Sequence, residues 1–143
     1  MNTLVLNTLA VIAGFVAGGV VNYGLVTVGP YVIATPVGVD MSDVDNLQEN
    51  ILLLKPENFV FPFLAHALGT LTGAVVAARL AISHPMKLAI GIGALFLAGG
   101  ITMVAMVGGP LWFVLLDLVV AYIPMGILGG HLARREVSPI STA

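Results

Sequence analysis

Four long apolar stretches occupy most of this chain and dictate the class of fold it can adopt. They cover roughly residues 4–28, 59–82, 88–107 and 111–132. A helix needs about 20 apolar residues to cross the hydrocarbon core of a bilayer, so each stretch is long enough. Hydrocarbon offers no partner to a free amide, and continuous apolar runs exclude the alternating strands of a barrel. The sequence predicts one all-α domain over residues 1–143, an integral membrane four-helix bundle.

Composition excludes several classes of function. Hydrophobic residues make up 59% of the 143 residues and charged residues only 8%, whereas about a quarter of residues are charged in soluble domains. There is no cysteine, so disulfides and thiolate sites are excluded. The net charge of −2 predicts no nucleic-acid partner. The first apolar run continues to about residue 28 with no preceding Lys or Arg, and we interpret it as a retained helix rather than a signal peptide.

The basic residues predict how the helices are oriented. Arg79 and Lys87 flank the loop between the second and third stretches, Arg134 and Arg135 follow the fourth, and only Lys55 lies in the opposite compartment. Lys and Arg favour the cytoplasmic side. We therefore predict a multi-pass protein of the cell inner membrane with both termini in the cytoplasm. The first four of these side chains are expected to contact anionic lipid headgroups.

The long first loop, on the outer side, carries a candidate surface helix over residues 43–54. Ser42 is placed to cap its first turn. Leu47, Ile51 and Leu54 fall on one face of this segment, which is typical of an amphipathic helix. We expect it to lie flat on the outer surface of the membrane.

Small residues recur at the four-residue spacing of a helix face in three of the stretches. The glycines concerned are Gly14, Gly18, Gly69, Gly73, Gly126 and Gly130. Without side chains, two helix backbones can approach closely, and van der Waals attraction between them then drives packing inside the membrane. The stripes either pack against one another within the chain or face a second copy or a membrane partner subunit, and we predict a homo-oligomer or a complex with such a subunit.

Asp117 is the most informative polar residue in the apolar stretches. A carboxylate at the middle of a membrane helix costs about 2.5–3.5 kcal/mol, so it needs a partner or a proton. His66 is the obvious candidate, because it lies about seven residues into the second stretch and Asp117 about six into the fourth, from the same side. Their depths agree within a turn, which permits contact.

Other polar side chains fall near the same layer and complete a possible outward-facing funnel. They are Asn22, Thr70, Tyr122 and, at the outer end of the second stretch, Glu57. This set is consistent with a hydrogen-bond network that fixes helix register. It is also consistent with an ion or proton pathway, because intramembrane ionisable residues mark such pathways and histidine changes charge near neutral pH.

A metal site built from His66, Asp117 and Glu57 is a weaker hypothesis. The ligand types suit zinc, but no paired spacing concentrates them on one helix. No cofactor and no catalytic residue are predicted. The leading functional hypothesis is a small transporter or channel-like protein for a proton, an ion or a small polar solute, embedded in the lipid bilayer. The alternatives are an accessory subunit that packs through its glycines and an intramembrane metal-dependent enzyme.

Overall fold

The computed structural model describes residues 2–43 and 45–134, and every regular element in that part of the chain is helical. The helices are α1 (Thr3–Val32), α2 (Leu47–Leu52), α3 (Val60–Leu80), α4 (Pro85–Val107), α5 (Leu111–Val120) and α6 (Ile123–Leu132), with a 3₁₀ turn at Pro56–Phe59 before α3. Four spans are long and apolar enough to cross a membrane: Thr3–Val32, Pro56–Leu80, Pro85–Val107 and Leu111–Leu132. The prediction of an all-α fold with four membrane-length helical spans is confirmed.

The helix ends follow local capping chemistry. Asn2 begins α1, because its side-chain oxygen accepts a hydrogen bond of 3.1 Å from the amide of Leu4. Pro85 begins α4 three residues earlier than the apolar pattern indicated, since a proline in the first turn needs no amide hydrogen. Gly108 ends α4 in a conformation with φ of 79°, which glycine adopts without strain.

The fourth span is broken in its middle. The α5 helix ends at Val120 and α6 begins at Ile123, with Tyr122 between them at φ −116° and ψ −79°. Pro124 explains the break, because it has no amide hydrogen to donate to the carbonyl of Val120 and its ring crowds the preceding turn. The helical ladder resumes where the amide of Gly126 donates to the carbonyl of Tyr122 at 2.8 Å.

Glycines bring α1 and α3 into direct backbone contact. A Cβ atom at Gly18 would lie 2.5 Å from the carbonyl oxygen of Gly69, and one at Gly69 would lie 2.9 Å from that of Gly18. Gly14 and Gly73 meet one turn away in the same reciprocal manner, at 2.5 and 2.7 Å. These four glycines therefore pack inside the chain, where only hydrogen atoms fit between the two backbones.

The glycines of α6 are also used within the chain. A Cβ atom at Gly126 would lie 3.0 Å from the carbonyl oxygen of Ala89, and one at Gly130 would meet the sulfur of Met86 at 2.6 Å. Both neighbours belong to α4. The α4 helix therefore packs on α6 as α1 packs on α3, and α3 also contacts both α4 and α6.

The connection between α1 and α3 differs from the predicted surface helix over residues 43–54. The α2 helix is only six residues long. The side chain of Asp43 accepts the amide of Asp45 at 3.2 Å, a local turn that competes with helix. Ser42 donates its hydroxyl and its amide to Asp40, which lowers the pKa of the Asp40 carboxyl, so Ser42 does not act as the expected helix cap.

The apolar side of α2 faces the spans. Leu47, Ile51 and Leu54 line a cavity together with Val104 and Val114 from the long helices. Gln48 fastens the segment by donating to the carbonyl of Met106 at 2.8 Å. We call this end of the molecule the α2 end, and the opposite end, where α3 and α6 finish, the Arg79 end.

The α1–α3 contact can be tested with a matched pair of glycines on α1. Gly18→Ala places a methyl group against the carbonyl of Gly69 and should lower the free energy of unfolding by about 1–3 kcal/mol. Gly24→Ala is the control, because a Cβ atom there meets nothing within 4 Å; alanine favours helix by up to about 1 kcal/mol over glycine. Unfolding of the detergent-purified protein would measure both. Equal stability of the two variants would contradict the packing described.

Candidate functional site

The polar layer is centred on the carboxylate of Asp117, which is 3% exposed on α5. His66 of α3 places Nδ1 at 2.9 and 2.8 Å from its two oxygens. The hydroxyl of Tyr122 donates to Oδ2 at 2.9 Å. The structure therefore brings together three of the residues that the sequence placed at similar depth, and both oxygens of the buried carboxylate have partners.

Aromatic packing at the α2 end sets α3 and α5 at a common depth. The ring of Phe59, just before α3, lies 4.7 Å from the ring of Phe113 and 5.5 Å from that of Trp112, measured between centroids. His66 follows about two turns later on α3, and Asp117 follows about one turn after Phe113 on α5. Because α3 and α5 both begin at this aromatic contact, His66 and Asp117 lie at a similar depth and can meet.

The break in the fourth span positions Tyr122. In a regular helix, residues five apart differ by about 140° around the axis, so Tyr122 would point away from Asp117. The break turns the ring inward, where it stacks on His66 with centroids 5.6 Å apart. Gly100 of α4 provides the space, since a Cβ atom at that position would overlap the Tyr122 hydroxyl.

The geometry assigns distinct roles to the two nitrogens of His66. Nδ1 lies within hydrogen-bond distance of both oxygens of the Asp117 carboxylate. Because carboxylate oxygens are acceptors, Nδ1 carries a hydrogen and donates it. Nε2 projects from the other side of the ring, because the two ring nitrogens diverge. The hydrogen-bond network therefore assigns the Nδ1–H tautomer to neutral His66. Nε2 is therefore available for a further hydrogen bond while the contact with Asp117 is kept.

Two cavities meet at His66. One, of about 330 Å³, lies at the α2 end under Leu47 and Ile51 and reaches both His66 and Asp117. The other, of about 240 Å³, lies between α1 and α4 and is lined by Asn22, His66 and Tyr122 among mostly apolar residues. The His66 side chain is 24% exposed, against 4% for Asp117. Histidine is thus the accessible member of the pair.

The remaining funnel residues are distributed differently from the expectation. Asn22 shares the second cavity with His66 and Tyr122. Thr70 is fully buried, and its hydroxyl has no hydrogen-bond partner among the described residues. Glu57 is exposed on the 3₁₀ turn and lies in the wall of neither cavity.

The hypothetical metal trio does not assemble. Within residues 2–43 and 45–134, no three His, Cys, Asp or Glu side chains come close enough together to hold a metal ion. His66 and Asp117 meet, whereas Glu57 lies outside both cavities that they line. The geometry is that of a carboxylate, an imidazole and a phenol joined by hydrogen bonds.

Three of the basic side chains lie at the Arg79 end. Arg79, Lys87 and Arg134 are all exposed there. Arg79 and Arg134 line a cavity of about 470 Å³ between the ends of α3 and α6. Arg135 lies outside the described residues. Contact with lipid headgroups stays a prediction.

The residues that sequence reasoning missed are those that shape the cluster from outside it. Gly100 was not singled out, because nothing in the sequence says that it faces an aromatic ring. The break beside Tyr122 does have a sequence signal, since Pro124 lies in the middle of the apolar stretch.

The chain matches no protein-family model, no curated protein and no solved structure. Functional inference therefore depends on this geometry.

The Tyr122 hydroxyl can be tested against another tyrosine of the same chain. Tyr122→Phe removes one hydrogen bond to Asp117 and should lower the free energy of unfolding by about 0.6–1.7 kcal/mol, the range of interhelical hydrogen bonds in membranes. Tyr23→Phe is the control, because Tyr23 is 73% exposed. Chemical unfolding in detergent would give both values. A larger loss in Tyr23→Phe would contradict the assigned hydrogen bond.

Proposed function

We propose that this protein is a small transporter that moves protons across the cell inner membrane, with His66 and Asp117 as its protonatable centre. One observation carries the proposal: a buried carboxylate and an imidazole with a free ring nitrogen are hydrogen-bonded to each other in the wall of a cavity at one end of the spans. Ionisable groups inside a membrane mark ion and proton routes. Histidine suits the role because it exchanges protons near neutral pH.

The broken fourth span supports transport over a purely structural network. In transporters, binding sites lie near the middle of the membrane beside discontinuous helices. Here the break at Tyr122 lies five residues from Asp117, and the Tyr122 side chain is itself part of the polar cluster. The break also supplies a hinge, since α5 and α6 share no continuous hydrogen-bond ladder across Tyr122 and Ile123.

Packing between the polar layer and the Arg79 end supports a closed state on that side. Ala74, Ala77, Ala89 and Ile92 are all 0% exposed there and form one core cluster. The backbones of Gly14 and Gly73 are in contact at the same level. Release of a proton toward the Arg79 end would therefore require the helices to move.

The residues suggest a proton-coupled cycle. A proton binds Nε2 of His66, and Nδ1 passes its own proton to Asp117. The carboxylate becomes a neutral acid, which removes its charge pairing with His66 and weakens the link between α3 and α5. Movement of α6 about Tyr122 then opens a path toward the Arg79 end, where the proton leaves Asp117, and rotation of the His66 ring returns an N–H group to the carboxylate. The distribution of Lys and Arg favours the α2 end on the outer side.

The accessory-subunit alternative depended on glycine stripes presented to a partner. Those glycines contact one another within the chain, so Gly69→Leu or Gly73→Leu would disrupt the α1–α3 contact itself. Loss of a copurifying protein in such variants would report unfolding as well as lost binding. Assembly with other copies stays a prediction.

Proton movement can be measured with protein reconstituted into liposomes that contain a pH-sensitive dye, under a valinomycin-imposed potassium potential. The wild-type protein should acidify the interior faster than empty liposomes. Asp117→Asn and His66→Gln should return the rate to that of empty liposomes, because each removes one protonatable group.

His131→Gln is the matched control, since His131 is an exposed histidine at the end of α6. It should leave the flux unchanged. A wild-type rate equal to that of empty liposomes, or full flux in Asp117→Asn, would overturn the proposal.

A further inference from the structure

The cavity between α1 and α4 has a property that a proton route does not require: it adjoins the surrounding lipid. The α1 helix packs chiefly on α3, whereas α4 packs on α3 and α6, so a groove remains between α1 and α4. Phe15, Leu95 and Met103 in its walls are exposed. Exposed side chains in membrane spans face lipid, so this groove is accessible sideways from the bilayer.

Asn22 supplies a polar group without a partner in this groove. It is half-buried in the wall and makes no hydrogen bond with any residue in the described ranges. Its Cβ atom packs against Gly69, one turn along α3 from His66. An amide in hydrocarbon without a hydrogen bond is unfavourable, so the site has capacity for a ligand that pairs with it.

His66 is the second polar residue in the wall of the groove. With Nδ1 donating to Asp117, the neutral imidazole presents Nε2 as an acceptor. The amide nitrogen of Asn22 is a donor. A hydroxyl group matches this pair, because it donates one hydrogen and accepts another. An anionic headgroup would be repelled by the carboxylate of Asp117 behind His66.

The rest of the groove is apolar and has room for a chain. The rings of Phe15 and Phe96 lie 5.3 Å apart in its wall. Gly19 of α1 and Gly99 of α4 also line it, and a Cβ atom at either would meet nothing within 4 Å. Aliphatic carbon atoms entering from the bilayer would therefore contact aromatic and aliphatic side chains without displacing them.

We propose that this groove is a binding site for a neutral amphiphile with a hydroxyl head, which enters sideways from the lipid. The hydroxyl donates to Nε2 of His66 and accepts from the amide of Asn22, and the aliphatic part lies against Phe96 and Leu95. Binding at this site does not depend on proton movement, so either property can fail without the other.

Photolabelling tests the site directly. Wild-type protein in liposomes is irradiated with a diazirine derivative of octanol, and labelled peptides are quantified by mass spectrometry. Labels should concentrate in the parts of α1 and α4 that line the groove. Excess octanol should reduce the labelling about tenfold more effectively than octane, a difference of about 1.4 kcal/mol. Asn22→Leu should remove this preference for the alcohol.

Two glycine pairs on the same helices control for general effects on the fold. Gly99→Leu fills the groove and should reduce labelling about tenfold, whereas Gly91→Leu should not, since Gly91 is equally unobstructed but lies outside the groove. Gly19→Leu and Gly24→Leu form a second pair on α1, used if Gly99→Leu does not fold. Equal competition by octane and octanol, or full labelling when the groove is filled, would overturn the proposal. Equal competition by octane and octanol would mean that lipid chains enter the groove without recognition of a polar head.

Discussion

Hydrocarbon cannot hydrogen-bond to a polar group, and the arrangement of this protein depends on that constraint. Each span must satisfy its own backbone, so all four are helical. No hydrophobic effect operates between helices surrounded by lipid, so association depends on close contact and on polar pairs. The α1–α3 contact uses the first means, through Gly18 and Gly69, and the α3–α5 contact uses the second, through His66 and Asp117.

These two contacts give α3 its central place. One side of α3 meets α1 backbone to backbone, and another carries His66 toward α5. The two sides of α3 differ in the chemistry of these contacts. The contact with α1 is made by glycine backbones and contains no ionisable group, whereas the contact with α5 joins an imidazole to a carboxylate. The proposed transport cycle uses this difference, because only the α3–α5 contact contains groups that can bind a proton.

The polar cluster is small, and its surroundings are apolar. The walls of the two cavities at His66 consist mainly of aliphatic and aromatic side chains, with Asn22, His66, Asp117 and Tyr122 as the polar groups. Such walls do not suit a wide hydrated channel. They are compatible with the proposed proton exchange at one imidazole nitrogen and with the proposed ligand, whose own surface is largely apolar. The two proposals share His66, and each uses a different property of it: titration in one and hydrogen-bond acceptance in the other.

The sequence by itself determined the class of fold, the approximate spans and the depth of the polar layer, because these depend on the length and continuity of apolar runs. It placed His66 and Asp117 within a turn of each other along the membrane normal, and it indicated that glycine stripes mediate helix packing. It overestimated the length of α2, because the local turn at Asp43 competes with helix.

Only the tertiary structure decided which helix faces meet, since periodicity says nothing about rotation of one span against another. Asp117 therefore joins His66 and Tyr122 while Glu57 stays outside, and Gly100 of α4 accommodates the Tyr122 ring. Those outcomes depend on contacts between segments distant in the chain, which no local pattern encodes.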